Sequence, residues 1–164
     1  MSEQQEIYNQ VEKAFGFVPN MIKTLATNPV VAKLYLQGNQ ILGEGVLTPQ
    51  ERQVVMLAIS NYNDCGYCMA AHGKATTGNG LAQEDAEAIR AGGLPKDSRL
   101  SALVSGAKLI VSKRGKLTPD DLASLKSAGV DKAQLHEIVA LAALKTITNY
   151  IDHFEEIELD PQFA

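Results

Sequence analysis

The chain has 164 residues, 45% of them apolar and 21% charged, which suits a soluble globular domain with a buried core. A formal net charge of −4 argues against a nucleic-acid partner, because binding phosphates calls for a basic patch. No stretch approaches the roughly 18 uninterrupted apolar residues of a membrane span, and the polar start MSEQQEIYNQ lacks the basic and apolar segments of a signal peptide; one domain over residues 1–164, in the cytoplasm, is the expectation.

The sequence reads as helix after helix. Residues 5–15 carry Ile7, Tyr8, Val11, Ala14 and Phe15 at helical spacing and stop at Gly16. Pro19 can open a short helix through Ile22 and Leu25, and Pro29 fits the first turn of the next, which runs toward Gly43. Thr48-Pro49-Gln50-Glu51 has a cap, a first-turn proline and a glutamate three residues after the cap, the pattern of a capping box. The following VVMLAIS is apolar on nearly every side, which predicts a core helix. NYND ends it, and Asp64 is the expected cap of a helix from Cys65 to about Thr77, stopped by Gly78-Asn79-Gly80. Helices are then predicted over 83–91, over 98–113, from the Thr118-Pro119 cap to Gly129, and over 131–150. No strand alternation or low-complexity segment interrupts the series, so the fold class is all-α. An echo links LTPQERQVVMLAISNYNDCGYCMAAH to VDKAQLHEIVALAALKTITNYIDHF. Duplication of a helical hairpin would leave such an echo, and so would two amphipathic helices by chance.

The whole cysteine complement is one close pair, Cys65 and Cys68. In a reducing cytoplasm a permanent disulfide is disfavoured, so the spacing points to redox cycling or metal binding. Cys65, Cys68 and His72 fall within roughly 60° of each other on one helix face. Thiols in a first helical turn are acidified by the dipole and by unpaired backbone N–H groups. The three residues thus offer an activated sulfur, a second sulfur able to resolve it and a proton acceptor, which is the equipment for reducing a peroxide or disulfide. Zinc is the competing use, but three ligands along one helix leave the fourth to be found elsewhere, and the chain has no second CxxC or HxxxH. No metal and no organic cofactor are expected. His136 and His153 read as surface or packing residues, and the acidic tail DHFEEIELDPQ as a solvated end or a subunit contact.

The segment LTPQERQVVMLAISNYNDCGYCMAAHGKA resembles the core motif of the AhpD-like, carboxymuconolactone decarboxylase superfamily. There a helix opening Leu-Ser/Thr-x-x-Glu-Arg is followed by an asparagine-rich turn and CxxCxxxH. FGFVPNM and NPVVAKLYLQGNQIL are similar to the peroxidase-related subgroup. The resemblance covers most of residues 7–160, and its specificity lies in the core at about 47–77. It implies an AhpD-like helical bundle and the alkyl hydroperoxidase branch, because the lactone decarboxylases lack the cysteine pair.

By the same resemblance Cys68 is the peroxide-attacking thiol, Cys65 resolves it and His72 serves the proton relay. Helix-dipole reasoning alone is ambivalent, since that effect is strongest at Cys65. Two positions depart from the pattern. The relay glutamate is Gln53 here, and an amide cannot accept a proton at neutral pH; Glu51 stands nearby but fills the capping-box position. The histidine between the cysteines is Tyr67, which can donate a hydrogen bond to a thiolate or peroxide oxygen, or only pack. Restoring a carboxylate at Gln53 is expected to speed peroxide reduction if it lies near enough to His72. A small hydroperoxide substrate, a dithiol protein reductant and self-association (dimer, trimer or hexamer) complete the expectation. The rival readings are a decarboxylase on the same fold and a non-catalytic redox-sensing or stress protein.

Overall fold

The computed structural model describes residues 2–164. Among these the chain is helical throughout: α1 (Glu3–Phe15), α2 (Asn20–Leu25), α3 (Pro29–Leu42), α4 (Pro49–Tyr62), α5 (Gly66–Gly78), α6 (Gln83–Arg90), α7 (Ser98–Lys113), α8 (Pro119–Ser127) and α9 (Lys132–Glu155), with a 3₁₀ turn at Pro161–Phe163. The all-α expectation is borne out. No helix is long and apolar enough to cross a membrane.

α4 is the axis of the fold. The Thr48 hydroxyl accepts from the Glu51 N–H at 3.2 Å, and the Glu51 carboxylate accepts from the Thr48 N–H at 2.8 Å, so the predicted capping box forms. From Val54 through Ser60 every residue is buried. A helix apolar on all sides must be enclosed on all sides, and α5, α6, α7 and α9 pack around it. A second apolar cluster joins Ile7, Val11, Met21, Ile22 and Leu25 to Cys65, Tyr67 and Cys68, so the cysteines lie where the N-terminal helices meet the α4–α5 turn.

The loop between α3 and α4 is fixed from α9. The buried Glu137 carboxylate accepts the N–H groups of Val46 and Leu47 at 2.6 and 3.2 Å. Any side chain at Gly45 would collide with that carboxylate. This anchor sets the start of α4, and with it Arg52 and Gln53.

Two details differ from the sequence reading. Asp64 does not cap α5. It adopts a left-handed conformation (φ 56°) that closes the turn after α4, and the cap is Cys65. Aspartate tolerates that region at small cost, which leaves the extended capping conformation to the next residue. The two echoing segments also end differently. The first breaks into α4 and α5, whereas Asn149-Tyr150 lies inside the unbroken α9. After Tyr62 come Asn63 and Asp64, both poor helix formers; after Tyr150 comes Ile151, which packs on the second cluster and keeps the helix going.

Candidate active site

The CxxC motif is itself the helix cap. Cys65 is extended (φ −93°, ψ 101°), and its sulfur accepts the Cys68 N–H at 3.2 Å, satisfying a donor that the helix start would otherwise leave unpaired. Both cysteines are free thiols, 0% and 2% exposed. They are not equivalent. A hydrogen bond from the Cys65 thiol holds the Cys68 sulfur as thiolate, with its pKa lowered to about 6; burial opposes this, and the Lys145 charge with Asn149 and Thr148 reinforces it. The same hydrogen bond, with burial, pushes the Cys65 thiol far up, so the shared proton belongs to Cys65. Cys65 has a second acceptor, the Asp152 carboxylate at 3.2 Å.

Lys145 is the residue the sequence reading missed. It is 1% exposed, and its ammonium reaches His72 Nε2 at 2.8 Å and Thr148 Oγ1 at 2.9 Å. Among the described residues it has no carboxylate partner. A buried charge needs a counter-charge, and the Cys68 thiolate is the anion placed to supply it. A lone lysine inside the apolar run ALAALKTIT was the available signal.

His72 and Gln53 then fall into place. Lys145 has no lone pair to offer as an ammonium, so it donates to Nε2. The imidazole proton therefore sits on Nδ1 and is donated to the Gln53 amide oxygen, 2.9 Å away. Burial, and then the Lys145 charge, push the His72 pKa well below its usual value. His72 is accordingly a neutral bridge between Gln53 and Lys145, whereas the spacing had suggested a base hydrogen-bonded to a thiol. Gln53, His72 and Cys68 are brought together as expected, but Lys145 stands between histidine and sulfur chemistry.

Tyr67 is also spoken for. Its hydroxyl donates to Asp160 and accepts from the Met21 N–H at 3.3 Å, and its ring packs edge-on against Phe163. It therefore anchors the C-terminal segment. Asp160 in turn takes the Asn20 N–H at 3.0 Å, at the start of α2. The acidic tail is thus folded onto the site, while His136 and His153 are exposed. Tyr67→Phe is expected to cost about 1–3 kcal/mol by orphaning buried partners, read from urea unfolding, without moving the Cys68 titration. A shifted titration would restore Tyr67 to the reacting centre.

Cys68, and not Cys65, borders a cavity of about 490 Å³. Its walls are largely apolar, among them Phe15, Phe17, Met21, Leu36 and Phe163, and Lys145 and His72 line it together with Cys68. Such a cavity, apolar with a few convergent polar groups, is the usual form of a small-molecule site. No cluster of His, Cys, Asp and Glu able to hold a metal occurs among the described residues.

The comparisons agree with the helical fold. Residues 29–96 match the carboxymuconolactone decarboxylase family. The fold is similar to a peroxidase-related protein of uncharacterized function from Silicibacter sp. (22% identity, 98% of this chain and 86% of that one, TM-score 0.86). It is likewise similar to an alkylhydroperoxidase AhpD core protein from Ralstonia eutropha, also an uncharacterized peroxidase-related protein (22% identity, 98% and 86% covered, TM-score 0.88). The debrominase Bmp8 shares the fold at 15% identity over 98% of this chain and 87% of that one, with a TM-score of 0.78. No protein of curated function matches at a significant level. The family match covers under half of the chain, and the solved structures share its fold. The matched segment holds Gln53, Cys65, Tyr67, Cys68 and His72 but ends well before Lys145 and Asp152.

Proposed function

We propose that this protein is a thiol oxidoreductase that reduces hydroperoxides through a Cys65/Cys68 dithiol–disulfide cycle. The observation that carries the reading is one pairing: a buried thiolate, Cys68, set against a buried ammonium, Lys145, at the wall of an apolar cavity. The Cys68 thiolate attacks the outer oxygen of the peroxide. The S–O bond forms as the O–O bond breaks, sulfur is oxidised to sulfenic acid, and the alkoxide leaves with a proton from Lys145. Placing a cation where that negative charge develops is the kind of preorganisation that lowers such barriers.

Once Cys68 is a sulfenic acid, its charge is gone and the Cys65 thiol loses its first acceptor. The Asp152 carboxylate remains, 3.2 Å from the Cys65 sulfur, and takes its proton as the S–S bond forms and the S–O bond breaks. The hydroxyl and that proton leave as water. An external dithiol protein then reduces the disulfide, itself becoming oxidised. The residues assign themselves accordingly: Cys68 attacks, Cys65 resolves, Lys145 and His72 hold charge and proton, and Gln53 orients His72. The cycle needs no metal or organic cofactor. Val30, Leu34 and Ile41 form an outward apolar stripe on α3, which supports self-association.

Peroxide treatment is expected to remove two hydrogens, a mass loss of about 2 Da located to the peptide holding both cysteines, and a dithiol should restore it. Two thiols that persist through stoichiometric peroxide would sink the proposal, as would stoichiometric zinc in protein purified without chelators.

A further inference from the structure

The lining of the cavity has a charge pattern unlike the rest of the chain. Acidic residues outnumber basic ones overall, 19 to 15. A lining with that composition would hold about three carboxylates. It holds none, while Arg52, Lys74 and Lys145 all face it.

Two of these cations stand apart from the thiol chemistry. Lys145 is buried beside Cys68, but Lys74 is exposed and Arg52 is partly buried, which places them where the cavity meets solvent. Arg52 gives one hydrogen bond, from Nη1 to the Leu42 carbonyl at 2.8 Å, and neither residue has a carboxylate partner among the described residues. The remaining guanidinium donors of Arg52 are therefore free for a ligand. Most of the remaining wall is apolar, with Ile22, Leu36, Met56 and Ala71 among its residues.

We infer that the substrate is an amphipathic organic anion: a hydroperoxide at one end, an apolar chain, and a carboxylate that pairs with Arg52 and Lys74. This rests on the peroxidase reading for the reacting end only. Guanidinium and carboxylate match as planar, doubly bonded partners, and the apolar wall accommodates the chain between. Lys74 lies six residues beyond Cys68 on α5, a rise of about 9 Å. A neutral hydroperoxide would leave the two rim cations unpaired.

The test uses two matched pairs: a straight-chain hydroperoxy acid of about nine carbons with its methyl ester, and the corresponding unreactive hydroxy acid with its methyl ester. Calorimetry with the hydroxy pair reads the pocket; turnover with the hydroperoxy pair reads the chemistry. The acid is expected to bind about tenfold more tightly than its ester. The margin should shrink a few-fold in Lys74→Gln, vanish in Arg52→Gln/Lys74→Gln, and narrow as salt is raised. Lys74→Gln alters an exposed side chain, so folding does not confound it. Equal binding of acid and ester, or a preference that survives both substitutions, overturns the inference. A binding preference without turnover of either hydroperoxide keeps the anion site and overturns the peroxidase reading instead.

Discussion

Cys68→Ser is expected to abolish peroxide reduction, whereas Cys65→Ser is expected to allow one turnover that stops at a sulfenic acid. The asymmetry follows from position. Cys68 borders the cavity and carries the thiolate, while Cys65 lies behind it as the helix cap and keeps the proton. Serine can still cap the helix at position 65, since its hydroxyl is a good acceptor there, so the fold should survive this change. The hydroxyl is also a donor, so it can still hydrogen-bond the Cys68 thiolate, and the single turnover should begin at close to the normal rate. A dimedone-type reagent should then label Cys68. Asp152→Asn gives an independent view of the second step. An amide still accepts the Ile157 N–H that Asp152 holds at 3.3 Å, but it cannot take a proton, so disulfide closure should slow by about 10²–10⁴-fold while sulfenic acid forms at the normal rate. Label on Cys65 in the Cys68→Ser variant would reverse the two roles. Closure at full speed in Asp152→Asn would remove Asp152 from the chemistry.

The helices were legible because their stops are local. Thr48-Pro49 and Thr118-Pro119 cap through their own side chains and need nothing from the rest of the chain. The CxxCxxxH spacing placed its three residues on one face for the same reason. What the sequence could not display is who hydrogen-bonds to whom across elements. His72 looked like the base for a thiol four residues away, yet its nitrogens are taken by residues 19 positions before and 73 after it. Tyr67 looked free to donate, yet its partner lies 93 residues away in a tail that read as solvated. Asp64 carried the right chemistry for a cap and lost the position to a cysteine, because the turn before it needed a left-handed residue. Lys145 was hardest to see: within α9 it is one basic residue in an amphipathic pattern, and only packing against α4 and α5 turns it into a buried charge.

Lys145→Met is expected to slow the first step at pH 7, by at most about thirtyfold because the Cys65 hydrogen bond remains. Methionine fills similar space without a charge, so the buried site loses its cation and leaves no orphaned one behind. The Cys68 pKa, held at about 6, should rise toward the ordinary thiol value. A depressed pKa means that the thiolate is present above about pH 6 and lost as pH falls through it; raising the pKa shifts that window upward. At pH 7 a thiol of pKa about 6 is about 90% ionised, and one near 8.5 only about 3%. Thiolate absorbance against pH should show the displaced midpoint, and most of the lost rate should return at alkaline pH. The part that does not return measures proton donation to the leaving alkoxide. An unmoved midpoint would mean that Lys145 does not face the sulfur. The same charge balance reverses the expectation for Gln53→Glu. With an amide at position 53, the ammonium and thiolate offset one another; a carboxylate 2.9 Å from His72 would add a second anion and compete with Cys68 for the field of Lys145. His72 has no hydrogen bond to sulfur through which greater basicity could act, so the carboxylate should raise the Cys68 midpoint and slow the enzyme at neutral pH. A faster Gln53→Glu variant would show that the imidazole, and not the ammonium, is the group that activates Cys68.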